Sequence, residues 1–210
     1  MEFLQVRLRA AAELLGTLDE FYADFGRTGL EFLVGEGEPF YHFAFLVPGD
    51  RFDAALRWVQ ARGEVLPRPG SGELVFDFSF WDALACYFRD PAGSIVELIA
   101  HHGIGENGAS GPFNGDELLG LSEVGLVGDL QTMARDLEQL DLCVWSGSVD
   151  DPDGLAFVGE KARTLILCPV GRGWLPIDRQ AEPHPVDALL SGSVEGEVRV
   201  GPHRIATTLA

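Results

Sequence analysis

The chain has 210 residues and a formal net charge of −18, because 33 acidic residues outnumber 15 lysines and arginines. That length allows one large domain or two small ones, and the 46% apolar fraction is ordinary for a globular protein. A surface this acidic repels phosphate backbones and anionic lipids, so we expect neither nucleic acid nor a membrane as a partner.

The cysteines and the N-terminal segment bear on localisation. Cys86, Cys143 and Cys168 form an odd set without paired spacing, which is typical of a reducing compartment and disfavours a cysteine-based zinc site. The opening residues, MEFLQVRLRA, lack the apolar run of a signal peptide. No stretch approaches the roughly 20 apolar residues needed to span a bilayer. We therefore expect a cytoplasmic protein.

A strand followed by a helix recurs along the chain. In the first copy, residues 3–10 alternate as a strand does, and 11–26 carry leucines and aromatic residues at helical spacing. Residues 28–35 predict a second strand before a polar turn. This first unit, 1–38, is short, because it predicts only two strands besides its helix.

The second unit, 40–102, is more complete. Its first strand ends at Pro48, and a helix is predicted over 50–63. Three further strands follow at 72–81, 83–90 and 94–100, and the turn DPAG joins the last two.

The first two units are predicted to pair into one domain, 1–102. Residues 103–120 predict a linker, because this stretch begins with a run rich in Gly, Asn and Ser. A third unit covers 121–176, and 177–210 predict an irregular segment followed by a C-terminal hairpin. Repeated strand–helix–strand units indicate an α+β fold.

One acidic residue lies where a strand should be buried. The segment SIVELIA (94–100) is apolar on both faces, yet Glu97 stands in its middle. A buried carboxylate is costly unless it is protonated, paired or bound to a metal. Period-two alternation also places His42 on the face opposite Tyr41 and Phe43. His42 and Glu97 are therefore candidate ligands, with an arginine partner for Glu97 as the alternative.

Three segments resemble a known superfamily. HFAFLVPGDRFDAALRWVQARG, YFRDPAGSIVELIA and SEVGLVGDL are similar to segments of the vicinal oxygen chelate superfamily, which includes glyoxalase I, extradiol dioxygenases and bleomycin resistance proteins. The resemblance implies repeated βαβββ units whose strands form curved mixed sheets around an open cup. It also implies metal ligands on the first and last strand of each unit.

Carried onto this chain, the resemblance implies a divalent ion, either Fe, Mn, Ni or Zn, held by His42, Glu97 and Gln5. It implies Glu97 or Glu31 as the catalytic proton carrier, although an exposed strand position is the alternative for Glu31. Glutamine is a weaker ligand than imidazole for iron or manganese, so a glyoxalase-like reaction is favoured over ring cleavage.

Further residues are candidates for substrate contacts. Arg7 would anchor a substrate carboxylate or enolate, while Tyr41 and Tyr87 would line the pocket unless they belong to the core. Glu123 occupies the ligand position on the first strand of the third unit. Because the last strand of that unit, TLILCPVG, offers only Cys168, the third unit is not expected to hold a complete metal site of its own.

Two functions follow from these expectations. The first is a metal-dependent enzyme, a lyase or isomerase or an extradiol-type dioxygenase, that acts on a small molecule with vicinal oxygens. The alternative is a metal-free protein that binds or sequesters a small molecule, as bleomycin resistance proteins do. A homodimer is expected because the superfamily completes cups across subunits and the first unit is short.

Overall fold

A computed structural model describes residues 1–209 of the chain. Within these residues there are three α-helices, α1 (Leu15–Tyr22), α2 (Phe52–Gln60) and α3 (Leu130–Glu138). None of the helices in this range has the length and apolar character required to cross a bilayer. The strands are β1 (Glu2–Ala10), β2 (Leu30–Val34), β3 (His42–Val47), β4 (Val65–Leu66), β5 (Phe76–Phe78), β6 (Ala83–Arg89), β7 (Ile95–His101), β8 (Leu121–Val127), β9 (Val144–Gly147), β10 (Ala156–Glu160), β11 (Arg163–Cys168), β12 (Gly173–Trp174), β13 (Arg179–Gln180), β14 (Asp187–Gly192), β15 (Gly196–Val200) and β16 (His203–Leu209).

The larger sheet is built from the second and third units. Its strand order is β4-β6-β7-β3-β8-β11-β10-β9, with β5 paired to β6. The first strands of the two units, β3 and β8, pair antiparallel at its centre. Each lies parallel to the last strand of its own unit, which is β7 for β3 and β11 for β8. The prediction of repeated βαβββ units in curved mixed sheets is confirmed.

The smaller sheet joins the two ends of the described chain. Its order is β15-β16-β14-β1-β2, so the short first unit receives three strands from the C-terminal segment. This differs from the expected pairing of the first unit with the second. The reason is that β3 uses its free edge to pair with β8, while β1 pairs antiparallel with β14.

The hydrophobic core lies between the two sheets and beneath the helices. Alternation along β3 sends Phe43 and Phe45 into this core, where the ring of Phe45 contacts Phe25, which in turn contacts Trp58 of α2. Ala44, on the other face of β3, belongs to a second apolar cluster. The larger sheet therefore buries one face against the core and keeps the His42 face for a cavity, as the alternation predicted.

Candidate metal centre

Three buried side chains meet on the cavity face of the larger sheet. His42 begins β3, Glu97 lies in the middle of β7, and Glu123 lies near the start of β8. One ligand atom from each of the three lies within 4.8 Å of the others. Their residues are only 6%, 2% and 4% exposed, respectively. We refer to His42, Glu97 and Glu123 as the triad.

Strand register explains why these side chains converge. Ala44 pairs with Glu97 on one side and with Glu123 on the other, so both acids flank the same point of β3. His42 lies two residues earlier and therefore on the same face as Ala44. The small Ala44 side chain leaves room between the two acids. The centre depends on the junction between two units, because neither unit alone supplies all three groups.

The imidazole of His42 is oriented by the backbone. Its Nδ1 lies 3.1 Å from the carbonyl oxygen of Ile95, to which a protonated Nδ1 donates. Its Nε2 then carries the lone pair and lies 3.5 Å from Oε2 of Glu97. Burial lowers the pKa of His42 to about 4, and the positive charge of Arg172 acts in the same direction. The ring is therefore neutral near pH 7 and can act as a ligand through Nε2.

The two carboxyl groups are strongly perturbed. Burial raises the pKa of Glu97 well above its ordinary value, and the neighbouring charge of Glu123 adds to this, whereas Tyr87 acts in the opposite direction. Burial also raises the pKa of Glu123 to about 8. Without a cation between them, the two acids hold protons over the neutral range, because two buried negative charges at this separation are unfavourable.

The donor set fits a divalent cation. Two carboxylates and one neutral imidazole would cancel the charge of such an ion, and mixed His and carboxylate sets suit Fe, Mn, Ni and Zn. Oε1 of Glu97 is buried without a hydrogen-bond partner in residues 1–209, which a metal bond would satisfy. Within that range, neither acid forms an ion pair with an arginine or lysine. The arginine alternative for Glu97 is therefore not what the structure shows.

The fourth position of the centre is apolar. In the second unit, Glu97 on β7 pairs with Ala44, two residues after the ligand His42 on β3. In the third unit, the residue two places after Glu123 on β8 is Gly125, and its partner on β11 is Ile166. Ile166 therefore takes the position that corresponds to Glu97. Ile166 is buried and lines the cavity. Three protein ligands with one open side would leave coordination positions for a substrate.

The cavity above the triad has a volume of about 180 Å³ and mainly apolar walls. Trp174 covers His42, with ring centroids 4.8 Å apart. Tyr87 also lines the cavity. Burial raises the pKa of Tyr87 well above its ordinary value, and the charges of Glu97 and Glu123 act in the same direction, so its hydroxyl stays protonated.

Gln5, Glu31 and Arg7 do not reach this cavity. They lie on β1 and β2 of the smaller sheet, where Nε2 of Gln5 and Nε of Arg7 donate to Glu31 at 2.8 and 2.9 Å. The side chain of Glu31 is 48% exposed. The structure therefore does not bring these three residues together with the triad. It separates Gln5 from the proposed metal ligands, Glu31 from the catalytic position and Arg7 from the substrate cavity.

The strand register around these residues in the smaller sheet nevertheless matches the register around the triad in the larger sheet. Arg7 pairs with Glu31 on β2 and with Asp187 on β14, just as Ala44 pairs with the two acids of the triad. Gln5 lies two residues before Arg7, as His42 lies before Ala44. Arg7 of the smaller sheet therefore corresponds to Ala44 of the larger sheet. The long arginine side chain fills the space that the small alanine side chain leaves between the neighbouring acids.

The two tyrosines predicted to contact a substrate lie in different places. Tyr87 lines the cavity, and its contact with a substrate stays a prediction. Tyr41 is buried on the core side, where its hydroxyl donates to the carbonyl of Pro185 and accepts from the amide of Arg9, both at 3.0 Å. Tyr41 therefore ties the larger sheet to the smaller one and is not among the residues that line the cavity.

Glu123 was predicted at a ligand position but not as part of the centre. The segment SEVGLVGDL carried the signal, because it places Glu123 where HFAFLV places His42. What the sequence did not reveal was that the second and third units share one sheet. Arg172, which also lines the cavity, follows β11 in a loop for which the sequence offers no comparable signal.

Comparisons with known proteins bear on the fold. No family model matches the chain, and a search of curated proteins found no match. Among solved structures, the chain is similar to a variant of glyoxalase I from Zea mays, with a TM-score of 0.53 and 15% identity over 90% of this chain and 75% of that one. It is also similar to a putative dioxygenase from Bacillus subtilis, with a TM-score of 0.54 and 13% identity over 99% of this chain and 85% of that one.

Identities this low show the fold alone. Both matches nevertheless extend over most of this chain. The chain has the fold of the vicinal oxygen chelate superfamily, as its sequence motifs predicted.

The raised pKa of Glu123 makes the stability of the metal-free protein depend on pH. Between an ordinary glutamate pKa and about 8, the folded state keeps a proton that the unfolded state has lost, so stability falls as pH rises. We expect the E123Q variant to gain stability relative to the parent between about pH 5 and 8, by at most about 1.4 kcal/mol per pH unit. Chemical denaturation with a chelator present measures this difference.

The matched control is E31Q. Arg7 and Gln5 hold the pKa of Glu31 below its ordinary value, so this carboxylate stays ionised throughout the same range. The difference between E31Q and the parent should therefore not change with pH. A pH-independent difference for E123Q as well would contradict the proposed protonation of the triad.

Proposed function

We propose that the chain is a metal-dependent enzyme that acts on a small molecule with two adjacent oxygen atoms. The observation that supports this is the convergence of His42, Glu97 and Glu123 at the floor of one cavity. A divalent ion held by the triad would act as a Lewis acid towards a carbonyl or hydroxyl oxygen of the substrate. Mn²⁺ or Fe²⁺ would suit the two carboxylates, and Zn²⁺ or Ni²⁺ the imidazole.

The surrounding residues favour proton transfer over ring cleavage. The facial triad typical of non-haem iron oxygenases has two histidines and one carboxylate, whereas this triad has the reverse composition. Glu97 is the proposed proton carrier, because it lines the cavity and one of its two carboxylate oxygens would remain available for a proton when the other holds the ion. Tyr87 stands beside Glu97 as a hydroxyl donor, and Trp174 shields the imidazole from water. An isomerase or lyase reaction follows from this arrangement.

The site needs no second copy of the chain in this proposal. The triad and the cavity walls all come from one chain, and the C-terminal segment supplies the strands that the short first unit lacks. The argument for a homodimer from the short first unit therefore loses its basis. The cytoplasmic location stays a prediction.

Metal titration tests the first part of the proposal. By calorimetry, the chelator-treated protein should bind one equivalent of Mn²⁺, Fe²⁺, Ni²⁺ or Zn²⁺. H42A, E97Q and E123Q should each weaken metal binding by more than about 10-fold. Loss of a residue that only supports a ligand already costs about 10-fold, and loss of a ligand itself should cost more. Q5A and E31Q should bind as the parent does, because they lie in the other sheet. If none of the four ions binds, the alternative of a metal-free binding protein takes the place of this proposal.

Deuterium exchange tests the second part. 2-Hydroxyacetophenone carries adjacent oxygens and an aromatic ring that suits the apolar cavity. With the Zn²⁺-loaded protein in deuterium oxide, we expect a hydrogen of the hydroxymethyl carbon, which is bonded directly to the carbonyl carbon, to exchange for deuterium. Proton NMR follows this exchange as loss of the hydroxymethyl signal. E123Q should show none and E31Q should match the parent. If the Fe²⁺-loaded protein instead consumes oxygen when catechol is added, while no deuterium exchange occurs, that result would favour the dioxygenase reaction.

A further inference from the structure

A single basic side chain lines the cavity within residues 1–209. Arg172 follows β11 and begins the hairpin of β12 and β13, which also carries Trp174 over the triad. It is partly exposed, so its guanidinium can meet a ligand. Its charge acts with burial to lower the pKa of His42, and both side chains line the same cavity.

Arg172 has no carboxylate partner within the described residues, although the chain is very acidic. Six arginines pair with acids at 4.0 Å or less, and Arg172 is one of the eight that do not within residues 1–209; the six are Arg7, Arg9, Arg51, Arg62, Arg68 and Arg204. Arg172 is instead held by backbone carbonyls, since its Nε donates to Asp153 at 2.9 Å and its Nη1 to Gly173 at 3.0 Å. No oxygen atom of residues 1–209 accepts from Nη2, although the guanidinium also acts on the thiol of Cys168, whose pKa burial raises while Arg172 acts more weakly in the opposite direction.

The charges of the cavity do not balance without a ligand. In the proposed metal-bound state, two glutamates and a neutral imidazole cancel the charge of a divalent ion. The charge of Arg172 then remains without an opposite charge among the residues that line the cavity. A ligand with one negative charge beside Arg172 would complete the balance.

The outer walls of the cavity set the rest of the ligand. Aromatic rings surround the opening, including Phe78, Phe80, Trp81 and Phe157. Trp81 and Phe157 are in edge contact, with ring centroids 4.5 Å apart, whereas Phe80 is 73% exposed at the surface. Such walls favour an apolar or aromatic body over a second charged group.

We propose that Arg172 selects a monoanionic substrate, with its adjacent oxygens and its negative charge at one end and an apolar or aromatic body at the other. Arg172 is then a specificity-determining residue that binds the anionic group through Nη2. This inference rests on the proposed function, because it takes the triad as the place where the adjacent oxygens bind.

Two probes that differ in charge test the inference. 2-Oxo-2-phenylacetate and 1-phenyl-1,2-propanedione share a phenyl ring and adjacent oxygens, but only the first is an anion. Calorimetric titration of the Mn²⁺-loaded protein should show tighter binding of the anion. R172Q should weaken binding of the anion by about 10-fold or more, as loss of a charged hydrogen bond does, and leave the neutral probe within about 2-fold. R7Q, which changes an arginine of the other sheet, should alter neither.

The readouts separate this inference from the proposed function. R172Q should bind Mn²⁺ as the parent does, which also shows that the variant is folded. If the parent binds none of the four ions, the proposed metal function fails. The same titration without metal still tests Arg172, through the preference for the anion and its loss in R172Q. Equal binding of the two probes by the parent, equal loss of both in R172Q, or binding of neither would overturn the inference.

Discussion

The antiparallel pairing of β3 with β8 is the constraint on which the candidate site depends. It places Ala44 between Glu97 and Glu123 and directs both acids into one cavity with His42. A register slip of one residue would turn these side chains to the opposite face. The site is therefore a property of the junction between two repeated units, and each unit contributes only part of it.

This junction concentrates two negative charges where water is scarce. The protein can relieve that cost by protonating the acids, as the raised pKa values of Glu97 and Glu123 indicate, or by placing a cation between them. The smaller sheet shows a third solution at the corresponding register position, where Arg7 lies beside Glu31 and pairs with it. The contrast between alanine and arginine at this position distinguishes an open centre from a closed ion pair.

Much of the fold could be predicted from local sequence. Alternation in HFAFLV separated the cavity face from the core face, and the motif around Glu97 predicted the curved sheets. The pairing of units could not be predicted, because it depends on which free strand edges meet across long connections. Gln5 and Glu31 were consequently predicted to act with His42 and Glu97, whereas Glu123 takes that place. Arg172 was missed because a loop residue has no periodicity that would indicate its direction.

The most direct measurement of the central claim is anomalous diffraction from crystals of the Zn²⁺-loaded protein. The account predicts one strong peak at the β3–β8 junction, within about 2.0–2.2 Å of Nε2 of His42 and of a carboxylate oxygen from each of Glu97 and Glu123. A strong peak beside Glu31 in the smaller sheet, with none at the junction, would contradict it. So would a structure in which the two buried acids point into separate spaces.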